Sequence, residues 1–157
     1  MSQPELSVLA EGDLPAGHRW VLRAGGTHAD FATFLETIYP DGRHDEGGMA
    51  GPPLYPGSLM NTYTGGTGRG LRRVLVRADP RVTRIRLHLV NGELLELAPV
   101  AALSDPGLTF FVALLPQTVG LVSVNAVDAG GEEVEVRDLS AHETFWQHSL
   151  ARRPPNH

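Results

Sequence analysis

Between Leu71 and Arg137 apolar and polar residues alternate in short runs, each stopped by a turn signal. In one run Ile85, Leu87 and Leu89 fall on one side and Arg84, Arg86 and His88 on the other, the period-two signature of a half-buried strand. Asn91-Gly92 stops it. A two-residue turn there would set Leu89 opposite Leu94 and send Leu95 and Leu97 to water. A three-residue loop, Val90-Asn91-Gly92, with Gly92 in the left-handed conformation of a G1 bulge, aligns Leu87 with Leu95 and Ile85 with Leu97. That bulged register is the predicted one, because it keeps the apolar residues on one buried side.

The same reading extends along the chain. Leu6 to Ala10 reads as a short edge strand, Arg19 to Ala24 as a strand with Trp20 and Leu22 inward, and Phe31 to Tyr39 as its return. A short helix capped by Asp30 is the alternative for Phe31 to Leu35. Pro40 to Gly70 is rich in glycine and proline and reads as a long loop in which only Leu59 to Tyr63 looks strand-like. Leu71 to Ala78 follows, then the hairpin, then Thr109 to Leu115, where Phe110-Phe111 in an unbroken apolar run implies a central strand covered on both faces. Val119 to Val127 and Glu133 to Arg137 complete the series.

Strands with hairpin turns and no intervening helices predict an all-β chain, an antiparallel β-sandwich of about seven to ten strands over residues 1–138. Parity within the runs assigns Trp20, Leu22, Val74, Val76, Ile85, Leu87, Leu95, Leu97, Phe110, Val112, Leu114, Val122, Val124 and Val134 to its core. The period then changes. Ser140-Ala141-His142-Glu143 fits a capping box, and Phe145, Trp146, Ser149 and Leu150 share one helical face. Residues 139–151 therefore read as a short amphipathic C-terminal helix, and 152–157 as a tail beginning at Arg152 and broken by Pro154-Pro155.

Trp20-Val21-Leu22 in an early strand, a Gly/Pro-rich middle, Asn91-Gly92, Phe110-Phe111-Val112-Ala113-Leu114-Leu115-Pro116 and Ala126-Val127-Asp128-Ala129-Gly130-Gly131 follow in that order. This strand rhythm, over roughly residues 18–137, resembles an uncharacterised all-β domain of actinobacterial proteins. The resemblance implies an all-β fold, carries no catalytic signature and transfers no activity. Such domains often follow a signal peptide or a membrane anchor, whereas here neither is expected and the terminal helix is expected in addition.

Composition narrows the chemistry. The 157 residues are the size of one ordinary domain. Cysteine is absent, which excludes disulfides, thiolate catalysis and cysteine-zinc sites. All 13 basic residues are arginine, so a Schiff-base or P-loop lysine is excluded as well. A net charge of −5 disfavours nucleic-acid and anionic-membrane binding. Met1-Ser2-Gln3-Pro4-Glu5 lacks the basic and apolar regions of a signal peptide, and no apolar window spans a membrane, so the cytoplasm is the expected compartment.

Four features bear on catalysis and metal binding. Asp41-Gly42-Arg43-His44-Asp45-Glu46 gathers carboxylates on a glycine-rich loop but lacks the ligand ladder of an EF-hand, and a solvated loop is expected there. His142-Glu143 opens like a zincin motif, yet His148 sits on the wrong helical face to close it. Gly65-Gly66-Thr67-Gly68-Arg69-Gly70 has no Gly-Lys-Ser/Thr and precedes a strand, so nucleotide binding is not expected. No serine lies in a nucleophile elbow. Neither a metal nor a cofactor is expected, and no catalytic residue is nominated.

What remains points to binding. Arg84 and Arg86 share a strand face with His88, with Arg77 on the neighbouring run, so guanidinium groups are expected to line one sheet and to meet an acidic protein or another subunit. Phe145, Trp146 and Leu150 on the terminal helix, and Tyr55 and Tyr63 in the long loop, are the aromatic and apolar anchors available to a partner. The expected function is a non-enzymatic protein–protein interaction module or accessory subunit of a larger cytoplasmic assembly. The alternative is a small-ligand or carbohydrate-binding sandwich that uses the 40–70 loop. An enzyme whose triad assembles from distant positions is the third reading.

Overall fold

The computed structural model describes residues 5–66 and 70–139, and over them the chain is all-β apart from a 3-10 turn at Pro15–Gly17. The strands are β1 (Ser7–Asp13), β2 (Arg19–Gly26), β3 (Phe31–Ile38), β4 (His44–Met49), β5 (Met60–Gly65), β6 (Arg72–Ala78), β7 (Val82–Leu89), β8 (Leu94–Leu97), β9 (Ala101–Ser104), β10 (Gly107–Leu115), β11 (Leu121–Asp128) and β12 (Glu133–Asp138). They form three four-stranded sheets, in the orders β1-β2-β3-β4, β5-β6-β10-β9 and β12-β11-β7-β8. Every pairing is antiparallel.

The second sheet takes part in two cores. On β6, Val74, Val76 and Ala78 join Ile85, Leu87 and Val124 of the third sheet, while Leu75, on the opposite side, packs with Leu22 and Leu35 of the first. On β10 the neighbouring rings divide in the same way, Phe110 to the first sheet and Phe111 to the third. A strand covered on both faces needs apolar residues at both parities, and Thr109 to Leu115 supplies them. Full burial of each phenylalanine contributes about 1.5–3 kcal/mol.

The hairpin of β7 and β8 has the predicted bulged register. Ile85 pairs with Leu97 and Leu87 with Leu95, Leu89 N donates to Glu93 O at 2.9 Å, and Gly92 has φ 89°. At that φ only glycine is free of strain. Phe31 to Ile38 is strand rather than helix, and Asp30 Oδ1 instead accepts a hydrogen bond from Gly51 N at 3.2 Å.

Three expectations need correction. Twelve strands stand among the described residues, more than the seven to ten expected, because β4 and β9 were not recognised. β4 lies inside the stretch read as loop. Its sequence, His44-Asp45-Glu46-Gly47-Gly48-Met49, has almost no strand-forming residues, but its glycines admit close neighbours: a Cβ on Gly47 would collide with the Tyr63 ring, and one on Gly48 with the Thr33 carbonyl. Val122 and Val134, assigned to the core, are 40% and 38% exposed. Irregularities in the β11 pairings, between Leu121 and Ser123 and between Ala126 and Val127, shift the parity there, and β12 is an edge strand. The predicted C-terminal helix, 139–151, lies outside the described residues from Ser140 onward. No helix among the described residues is long and apolar enough to cross a membrane.

Candidate functional site

Arg84 and Arg86 sit on β7 in the third sheet, whereas Arg77 belongs to β6 in the second, so the three do not share one sheet face. Both β7 arginines have acidic cross-strand neighbours. Arg84 Nη1 lies 3.4 Å and Arg86 Nε 3.0 Å from Glu96 of β8, and Arg86 Nη1 lies 3.5 Å from Glu133 of β12. This ladder is internally neutralised. The hydrogen bond from Arg86, with the charges of Arg84 and Arg86, holds the Glu96 carboxyl below its usual pKa against partial desolvation. A depressed folded-state pKa contributes stability that is complete above the unfolded carboxylate range and is lost as pH falls through the folded value. Arg86→Gln is therefore expected to move the Glu96 pKa up towards the ordinary value in an NMR titration, and an unchanged value would contradict the pairing.

Tyr55 is 56% exposed and lines a small cavity of about 90 Å³ with Met49, Asn61 and Arg137. Tyr63 is committed to the fold, its ring held against Gly47 of β4 and Gly65 of β5. Phe145, Trp146 and Leu150 lie outside the described residues. The acidic stretch at 41–46 is dispersed: Asp41 Oδ1 accepts from Arg43 N at 2.9 Å, His44 Nδ1 lies 3.0 Å from Glu36, and Asp45 Oδ2 accepts from Tyr39 Oη at 2.8 Å. Among the described residues no three histidines or carboxylates gather as a metal site would need.

A different place gathers polar groups. At one end of the first two sheets an open cleft of about 440 Å³ is lined by His18, Tyr39, Pro40, Asp41, Arg43, Gly70 and Leu71. Tyr39 follows β3 directly and organises the cleft. It is 5% exposed, its Oη accepts from Leu71 N at 3.3 Å, the Arg43 guanidinium lies 4.7 Å from its ring centre, and the His18 ring meets it edge-on at 5.2 Å. Burial pushes the Tyr39 phenol above its usual pKa, the hydrogen bond and charge of Asp45 add to this, and the Leu71 amide and the Arg73 charge oppose it. The phenol is therefore neutral, and it donates to Asp45. A Cβ on Gly70 would collide with Tyr39 Oη, so glycine alone fits that wall. Among these described lining residues the Tyr39 phenol is the hydroxyl, and the cleft offers charge, hydrogen bonds and ring surface.

One side of β6 carries two buried arginines, Arg73 at the end next to Leu71 and Arg77 towards the other end, where the sequence reading placed Arg77 on a sheet face lined by guanidinium groups. Arg77, fully buried, donates to Phe31 O at 2.7 Å, Thr33 Oγ1 at 2.9 Å and Pro52 O at 2.8 Å, with Gly51 O at 3.5 Å. Burial holds its pKa below the usual arginine value. Arg73, 3% exposed, has no partner for Nε or Nη1. The third buried arginine, Arg72, faces the other core and donates to Val119 O at 3.4 Å.

Fold and site together define an all-β chain of three antiparallel sheets with a polar cleft at one end. Comparison with known proteins adds no relative: no family, no curated protein and no solved structure matches the chain.

Proposed function

We propose that this chain is a non-enzymatic binding module, a layered β-sandwich that holds a small polar ligand in the Tyr39 cleft. The observation that carries the reading is the convergence of Arg43, His18, Tyr39 and Asp41 on one concavity of about 440 Å³, within the range of small-molecule sites. The cleft draws on both ends of the 40–70 segment, with Pro40, Asp41 and Arg43 from its start and Gly70 from its close. Loops at the end of a sheet stack are where such scaffolds carry recognition. The test is a melting-temperature screen of the full chain against sugars, amino acids, organic acids and nucleotides. A hit whose shift is lost in both Arg43→Ala and His18→Ala supports the reading. Hits that ignore both substitutions refute it.

One observation favours a second reading, the protein–protein interaction module or accessory subunit of a cytoplasmic assembly. Val134 and Val136 are 38% and 56% exposed on the edge strand β12, from which the chain runs on towards Phe145, Trp146 and Leu150. A stoichiometric complex that Val136→Glu dissolves would establish this reading in place of the first.

A further inference from the structure

We propose that the ligand of the Tyr39 cleft is a small organic anion whose carboxylate or phosphate oxygens accept hydrogen bonds from the buried Arg73 guanidinium. The inference rests on the ligand-binding reading of the cleft and adds the charge and chemistry of what binds. Its ground is a contrast within one strand. Arg73 and Arg77 lie on the same side of β6 as Leu75, towards the first sheet, and both are nearly or fully buried. Of the Arg77 nitrogens only Nε is without a partner, and four protein oxygens accept from Nη1 and Nη2. None is bonded to Arg73 Nε or Nη1, and no ion pair joins Arg73 to a described carboxylate. A guanidinium taken out of water without an acceptor is among the costliest groups a fold can carry, and it is the side chain best shaped to grip a planar or tetrahedral oxyanion.

The position of Arg73 links it to the cleft. Leu71, two residues earlier on the extended segment, lines the cleft, and so does Tyr39, whose phenol feels the Arg73 charge. Thr37, which precedes Tyr39 on the same side of β3, is fully buried and its Oγ1 has no partner. The carboxylate on that side, Asp45, opposite Thr37 in the β3–β4 pairing, is already bonded by Tyr39 Oη. Arg73 Nε and Nη1 and Thr37 Oγ1, all buried and without a partner, thus sit two residues along the chain from Leu71 and Tyr39, which form one wall of the cleft. At that wall Gly70 contributes no side chain, and at the rim Arg43 supplies a second, exposed guanidinium.

The test is thermal melting of the full chain in a zwitterionic buffer, with inorganic phosphate or succinate added against sodium chloride of matched ionic strength. The expected result is a saturable rise in melting temperature with at least one of the two anions. Phosphate alone assigns a phosphate-bearing ligand, and succinate alone a carboxylate. Arg73→Met is expected to lose the response and, without anion, to melt above the unsubstituted chain because the uncompensated charge is gone. Arg43→Ala is expected to weaken anion binding about tenfold.

A response retained in Arg73→Met overturns the inference, and so does the absence of any response in the unsubstituted chain. If Arg73→Met fails to fold, an NMR titration of the unsubstituted chain decides. Movement of the Arg73 Nε–H and Leu71 amide signals upholds the inference, and their constancy at saturating anion overturns it. Loss of the response in Arg73→Met with none in Arg43→Ala or His18→Ala would keep the anion at Arg73 and reject the cleft as its route. Neutral ligands lost in Arg43→Ala, together with no anion response, would keep the cleft and reject the anion.

Discussion

Arg77→Met is expected to lower the stability of the folded chain by roughly 2–5 kcal/mol, measured by urea unfolding. The side chain is fully buried, and its two terminal nitrogens bring together the start of β3, through Phe31 O and Thr33 Oγ1, and the Gly51-Pro52 turn. Methionine fills much of the volume but donates nothing. Each buried acceptor left without a donor costs about 1–3 kcal/mol, and Pro52 O and Thr33 Oγ1 are the acceptors most exposed to that loss. The opposite sign expected for Arg73→Met, on the same side of the same strand, makes the pair diagnostic. If both substitutions stabilise the chain, Arg77 is merely a tolerated charge; if both destabilise it, Arg73 has acceptors after all.

Phe110→Ala and Phe111→Ala are each expected to cost roughly 3–5 kcal/mol. The two rings are adjacent in sequence and point to opposite sides of β10, and both are fully buried, one in each core. In a sheet with one wet face, one ring of such a pair would lie in solvent, and its removal would be nearly neutral. Equal and large losses are thus the energetic signature of a central sheet covered on both sides. A loss under about 1 kcal/mol for either ring would show that its covering sheet is not packed as described.

The parts of the fold legible in the sequence are those where side-chain parity and turn chemistry agree. The β7–β8 hairpin was readable to the residue because only the Gly92 bulge kept Leu87 and Leu95, and Ile85 and Leu97, on one side. Phe110-Phe111 announced a doubly covered strand. β4 was hidden because Gly47 and Gly48 look like loop residues, although their role is to let Tyr63 and Thr33 approach. The alternation Arg73-Leu75-Arg77 reads as a solvated strand face, since buried arginine is rare, and this concealed both the stacking of the first two sheets and the cation beside the cleft. The cleft itself joins His18, Tyr39 to Arg43, and Gly70-Leu71. These segments are far apart in the chain, and no local spacing foretells that they meet. The retrievable signal was compositional: the second sheet's β6 opens with Arg72-Arg73 ahead of an apolar run, an expensive pair to place in a strand with no wet face.

The most direct test is to map amide chemical shifts of the ¹⁵N-labelled full chain while the best hit of the ligand screen is titrated in. If the cleft is the recognition site, the amides of His18, Tyr39, Arg43, Gly70 and Leu71 move together along one saturable curve, and those of Val134 and Val136 stay still. Shifts confined to β12, with the cleft amides unmoved at saturation, would contradict it.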